Sequence, residues 1–152
     1  VSRSATEDVY DERTEFTLNR AKVIAQGADV TLVACGEMVP YAVEARRILE
    51  EKGISTGLID MYCLKPFDRE TLLQAAGSTG CFVTVDEPAP HGGLGSLVCQ
   101  ALSQNIPKRV LQLALPDGHI IPGENKKVFA AYGMDSQGIA GRAAAFWEEG
   151  RV

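Results

Sequence analysis

The run Asp29-Val30-Thr31-Leu32-Val33-Ala34-Cys35-Gly36 decides how the rest of the chain is read. Val30 to Cys35 is short and nearly all apolar, the pattern of a strand covered on both faces, and such a strand lies in the middle of a sheet. After Gly36 the period changes. Pro40 suits a first helical turn, Ala42, Ala45, Ile48 and Leu49 form one stripe at helical spacing, and Gly53 supplies a left-handed stop. Leu58 to Met61 then reads as a strand, Asp68 caps a helix bearing Leu72, Leu73 and Ala76, and Cys81 to Val85 is a further apolar strand. A third stripe, Leu94, Leu97, Val98, Ala101 and Leu102, precedes a strand around Val110 to Leu113.

Strands separated by helices need crossover connections, so the sheet is expected to be mostly parallel with helices on both faces. Upstream, Thr17 to Ile24 forms a fifth strand. Only a few residues, Gly27 among them, join it to Val30, too few for a crossover, which makes it an antiparallel edge strand. One closing helix carries Val128, Phe129 and Tyr132 and stops at Gly133; the last starts near Asp135 with Ile139, Ala143, Phe146 and Trp147 on one face. The expected fold is therefore a three-layer α/β/α domain around a five-stranded, mostly parallel sheet with one antiparallel edge strand.

The chain has 152 residues, 45% of them apolar and 23% charged, which suits one globular domain. Residues 1–16 mix charges with no sustained apolar period and read as a solvated arm or linker before a domain over 17–152. A formal net charge of −5 argues against broad nucleic-acid binding. No stretch has the roughly 18 uninterrupted apolar residues of a membrane span, and no basic-then-apolar leader opens the chain, so the expected location is the cytoplasm. The first residue is Val, which reads as a chain with residues removed or as a fragment of something longer.

Cys35, Cys63, Cys81 and Cys99 form no Cys-x-x-Cys pair, and with only His91 and His119 besides, no metal site has local spacing in its favour. Open α/β sheets bind ligands at the carboxyl ends of their strands, where this chain places Cys35, Glu37, Tyr62, Cys63, Asp86, Glu87, His91 and Asp117. Cys35 could serve as a thiolate activated by His91 with Glu87 orienting the imidazole, although a reduced cysteine there is more often packing. The most distinctive segment is Asp86-Glu87-Pro88-Ala89-Pro90-His91-Gly92-Gly93-Leu94-Gly95-Ser96, a strand end, a proline-rich bend and glycines opening a helix. Pro88 and Pro90 hold Glu87 and Ala89 extended, the sharp turn falls at Gly92 and Gly93, and His91 projects away from the core. Glycines at a helix start can cradle an anion, or can simply give a tight turn and close packing. The dinucleotide fingerprint fails because Val98 stands where its third glycine belongs, and neither a phosphate-binding P-loop nor a Gly-x-Ser-x-Gly elbow occurs.

Five segments in register, Asp29 to Val39, Ile59-Asp60-Met61 with Leu64-Lys65-Pro66-Phe67-Asp68, Val83 to Glu87, Gly92 to Ser96 and Tyr132-Gly133-Met134-Asp135, resemble the carboxy-terminal domain of transketolase-like enzymes across roughly residues 17 to 140. The family includes transketolase, deoxyxylulose-phosphate synthase and the β subunit of 2-oxoacid dehydrogenases. The resemblance implies the third domain of a thiamine-diphosphate enzyme that moves two-carbon ketol units between sugar phosphates. It also implies a five-stranded mixed sheet with one antiparallel strand. Thiamine diphosphate and its Mg²⁺ then belong to the N-terminal domains or subunit of the parent enzyme, and none is held by this chain. No catalytic, cofactor or metal residue is assigned here. The domain's implied role is assembly of the parent homodimer, with regulation, and Asp86, Glu87, His91, Gly92, Gly93, Gly95 and Ser96 form its candidate interface or anion-contact loop. Two departures stand out: Pro88 follows Glu87 where many relatives have His, and Asn19-Arg20-Ala21 replaces a frequent Gly-Lys-Ala. The alternatives are a self-contained enzyme using Cys35 and His91, and a regulatory module binding an anion at Gly93 to Gly95.

Overall fold

A computed structural model describes residues 8–87 and 90–151. Its strands are β1 (Lys22–Ala25), β2 (Val30–Ala34), β3 (Thr56–Asp60), β4 (Cys81–Val85) and β5 (Arg109–Leu113). Its helices are α1 (Met38–Glu51), α2 (Arg69–Ala76), α3 (Leu94–Ser103), α4 (Asn125–Ala131) and α5 (Ser136–Glu149). The sheet order is β1-β3-β2-β4-β5. β2 pairs in parallel with both β3 and β4, β4 in parallel with β5, and β1 antiparallel with β3. The expected architecture, with its central β2 and antiparallel edge, is the one found.

All five residues of β2 are buried, so both of its faces need cover. Val30, Leu32 and Ala34 face a core built with Ala42, Ala45 and Leu49 of α1, Phe129 of α4 and Ile139 and Ala143 of α5. Val33 faces the opposite core with Ile59, Phe82, Leu72 of α2 and Leu94 and Val98 of α3. The period of 2 along the strand thus meets a period of 3.6 on helices above and below.

Several details differ from the sequence reading. β1 begins at Lys22 rather than Thr17, because the chain turns at Leu18 and Asn19, where Asn19 takes φ +64° and cannot continue a strand. α1 starts two residues before Pro40, which still lies within the first turn, where a missing N–H costs nothing. The segment expected to be a solvated arm lies partly against the sheet: Val9 packs on the α1-side core, and the Tyr10 hydroxyl donates to Asp60 Oδ2 at 2.8 Å. Tyr10, Phe16 and Tyr62 stack edge to face with centroids 5.1 and 4.9 Å apart. Gly53, at φ +77°, provides the left-handed stop after α1.

Asp68 ties Ala21, the residue before β1, to α2. Its Oδ1 accepts from the Thr71 amide at 3.1 Å, capping α2, while Oδ2 accepts from the Thr71 hydroxyl and the Ala21 amide, both at 2.7 Å. Burial pushes this carboxyl upward, but the bonds from Thr71 and Ala21 and the nearby Arg20 charge outweigh it, leaving it below the usual Asp value. A carboxyl depressed in the fold stabilises at pH above its unfolded value near ~3.9 and loses that contribution as pH falls through and below it. Asp68→Ala is therefore expected to cost about 1–3 kcal/mol at pH 7 in urea denaturation. The gap to the native sequence should narrow as pH is lowered through about 4.

Candidate functional site: the carboxyl ends of the strands

From β2 the chain crosses by α1 to β3 on one side, and from β4 it crosses by α3 to β5 on the other. The crevice between the carboxyl ends of β2 and β4 is thus the topological switch point, where open α/β sheets bind ligands. The residues leaving those two ends are Cys35 and Asp86. The Cys35 thiol donates to Asp86 Oδ1 at 3.2 Å, and Asp86 Oδ2 accepts from the Leu94 amide at 3.0 Å. One carboxylate, 6% exposed, therefore closes the crevice and caps α3. The space left among Asp86, Pro90, Gly93, Gly95 and Gln112 is about 10 Å³, room for one water at most.

These contacts overturn the reading of Cys35 as a nucleophile. Its thiol is pushed up from an ordinary 9.0 to about 12, first by burial and then by the charge of Asp86 and the hydrogen bond to it. A nucleophilic cysteine needs the opposite, a partner that draws the proton off. Its hydrogen bond goes to Asp86, and His91 is exposed, as its projection from the loop implied.

The loop is braced from within. Gly92 N–H donates to Ser96 Oγ at 2.9 Å, and Ser96 in turn donates to the Pro90 carbonyl at 3.2 Å. Gly92 turns at φ +79°, whereas Gly93 is extended, so one glycine makes the sharp turn expected of both. Glu87 is half-buried; Pro88 and Ala89, on which the expected stretched conformation depends, lie outside the described residues. Gly95 serves packing: a Cβ there would lie 2.6 Å from Gln112 Oε1. An anion at Gly93 to Gly95 would meet the Asp86 carboxylate, which already takes the Leu94 N–H group and sets a like charge beside the helix start.

Sequence reasoning missed a second feature, an open cleft at the end of β3 lined by Tyr10, Tyr62 and Asp60. No periodicity in residues 8–16 signals that the arm returns to the sheet, and Asp60 stands out in the sequence only as part of Ile59-Asp60-Met61.

The model of the transketolase C-terminal domain matches residues 19–139. The chain belongs to the transketolase C-terminal domain family. The apulose-4-phosphate transketolase of Phocaeicola vulgatus has a subunit that is 40% identical over 96% of this chain and 47% of its own length. 1-Deoxy-D-xylulose-5-phosphate synthase 1 of Geobacter sulfurreducens is 39% identical over 89% of this chain and 22% of its own. Among solved structures, a split-gene transketolase described as an inactive β4 tetramer superposes with a TM-score of 0.85 at 35% identity, over 93% of this chain and 46% of that one. The transketolase C-terminal domain family member thus spans less than half the length of these relatives.

Thiamine diphosphate with Mg²⁺, which the family implies, needs several oxygen ligands for the metal and positive or N–H donors for the diphosphate. The strand ends do not fit that group. Among the described residues no three His, Cys, Asp or Glu side chains converge to hold a metal, and Glu37, Asp60, Asp86 and Glu87 make this end acidic.

At pH 8, Cys35 is expected to react with iodoacetamide at least tenfold more slowly than a free thiol of pKa ~8.5. Because the folded thiol titrates higher than the unfolded one, the stability it contributes is full below 9.0 and drains away as pH rises toward about 12. Mass-spectrometric labelling at Cys35 as fast as that of the unfolded chain would contradict this geometry.

Proposed function

We propose that this chain supplies the third domain of a transketolase-type transferase that moves two-carbon ketol units between sugar phosphates. The similarity to part of an apulose-4-phosphate transketolase over 96% of the chain carries this reading. Thiamine diphosphate and Mg²⁺ are held by the accompanying N-terminal domains or subunit, and this chain contributes assembly surface and no reacting group. The acidic donor set at the strand ends and the closed switch point support that division. The parent assembles as a homodimer, and the Asp86 to Ser96 loop, with His91 exposed at its crest, is the part of this chain that meets the remaining domains. The four free cysteines agree with a cytoplasmic location.

Calorimetric titration of the isolated chain with thiamine diphosphate and Mg²⁺ is expected to show no tight stoichiometric site; one would refute the division of labour. Much of the parent interface lies outside this chain, so sedimentation at micromolar concentration should find a monomer or a weak dimer. In the complete enzyme, His91→Ala is expected to weaken domain packing or lower kcat; unchanged kinetics and unchanged thermal stability would leave the loop a turn and nothing more.

A further inference from the structure

On the α2 side of the sheet a cavity of about 130 Å³ lies beside the edge strand β1. Val23, Thr31 and Ile59 of the sheet line one side of it, and Gln74 and Ala75 of α2 line the other. Gly27 and Ser78, just before β2 and β4, join the lining, which sets the cavity toward the amino ends of those strands and away from the Cys35–Asp86 crevice. The register creates the space. Thr31 stands opposite Gly57, which brings no side chain to this face, and a Cβ at Gly57 would lie 2.9 Å from Thr31 Oγ1. Thr31 is 3% exposed, yet its hydroxyl makes no hydrogen bond to any described residue. The neighbouring hydroxyls differ: Thr71 donates to Asp68 Oδ2 at 2.7 Å and Ser78 to the Ala75 carbonyl at 3.2 Å. Among the described residues Asp60 Oδ1 is the one side-chain polar atom both sealed from solvent and unpartnered, so the Thr31 hydroxyl keeps surface open to the cavity it lines.

A buried hydroxyl without a partner costs free energy, which an occupant that supplies a donor or acceptor recovers. The lining sets that occupant's charge and shape. Among the described residues no Lys, Arg, His, Asp or Glu lines the cavity, so an ion would lose hydration there without compensation. Val23, Ile59 and Ala75 offer hydrocarbon contact. Thr31 within and the exposed Gln74 amide at the rim can each donate or accept, which suits a hydroxyl group at either end of a short carbon frame. The volume is that of about four liquid waters and a little under the ~150 Å³ cavity that accepts benzene, room for about five heavy atoms. We propose that this cavity binds a small uncharged diol, its carbon frame against Val23 and Ile59, one hydroxyl on Thr31 Oγ1 and the other on the Gln74 amide.

The test is an amide-resolved NMR titration of the full chain with propane-1,2-diol, and separately with lactate, which keeps the three-carbon frame and adds a charge, at constant ionic strength. Saturable shifts at Thr31, Gly57 and Gln74 are expected with the diol, with lactate at least tenfold weaker. Thr31→Val keeps the shape of the side chain, removes the hydroxyl and should weaken the diol about fivefold. Ala75→Leu fills the cavity from α2 and should abolish the response. Shifts that rise without saturating, as a cavity holding only water would give, overturn the proposal in the unaltered chain, whatever the variants do. An equal response to lactate overturns it as well, and so does undiminished binding by folded Thr31→Val or folded Ala75→Leu.

Discussion

The structure depends on the burial of β2 from both sides. No residue from Val30 to Ala34 is more than 3% exposed, so the strand's backbone groups must find partners in ladders on both edges and its side chains must be covered above and below. Both demands are met at once by crossovers: α1 leads to β3 on one flank, and α2 carries the chain across to β4 on the other. The two cores are unequal. The α1 side gathers α4 and α5 as well, while α2 and α3 cover the opposite face. The edge strands are less constrained, since β1 and β5 each have one ladder and their residues are mostly half-buried or exposed.

The same topology collects polar residues at the carboxyl ends of the strands, the usual ground for a binding site. Here Cys35 and Asp86 serve as a brace. Asp86 takes the Cys35 proton donor with one oxygen and the first amide of α3 with the other, which joins two strand ends to a helix and fills the crevice a ligand would use. Asp68 does similar work between Ala21, just before β1, and α2. Asp60 is the contrast: it is as buried as the others but only half engaged.

The brace at Asp86 also sets a carboxylate at the glycine-rich helix start, on the Leu94 amide. A helix N-terminus attracts whichever negative group reaches it first, and a carboxylate from the preceding strand end is always present at high effective concentration. Gly95 keeps its place because Gln112 of β5 lies against it, and Gly92 because the chain turns there with positive φ.

The order of strands and helices, the central place of β2, the antiparallel edge and the Asp68 cap were legible in the sequence. They follow from short-range regularities: an apolar run, a helical stripe, a capping carboxylate three residues before the amide it accepts. The family was legible too, because five segments kept their order and spacing. What Cys35 and Asp86 do was not legible, since the residues lie 51 apart in sequence and only the parallel pairing of β2 with β4 brings thiol to carboxylate. The return of Tyr10 to Asp60 was likewise hidden, because an aperiodic segment carries no signal of what it packs against. Periodicity records which face of an element is apolar; which polar groups meet at the ends of those elements is decided by long-range register, and only the folded chain contains it.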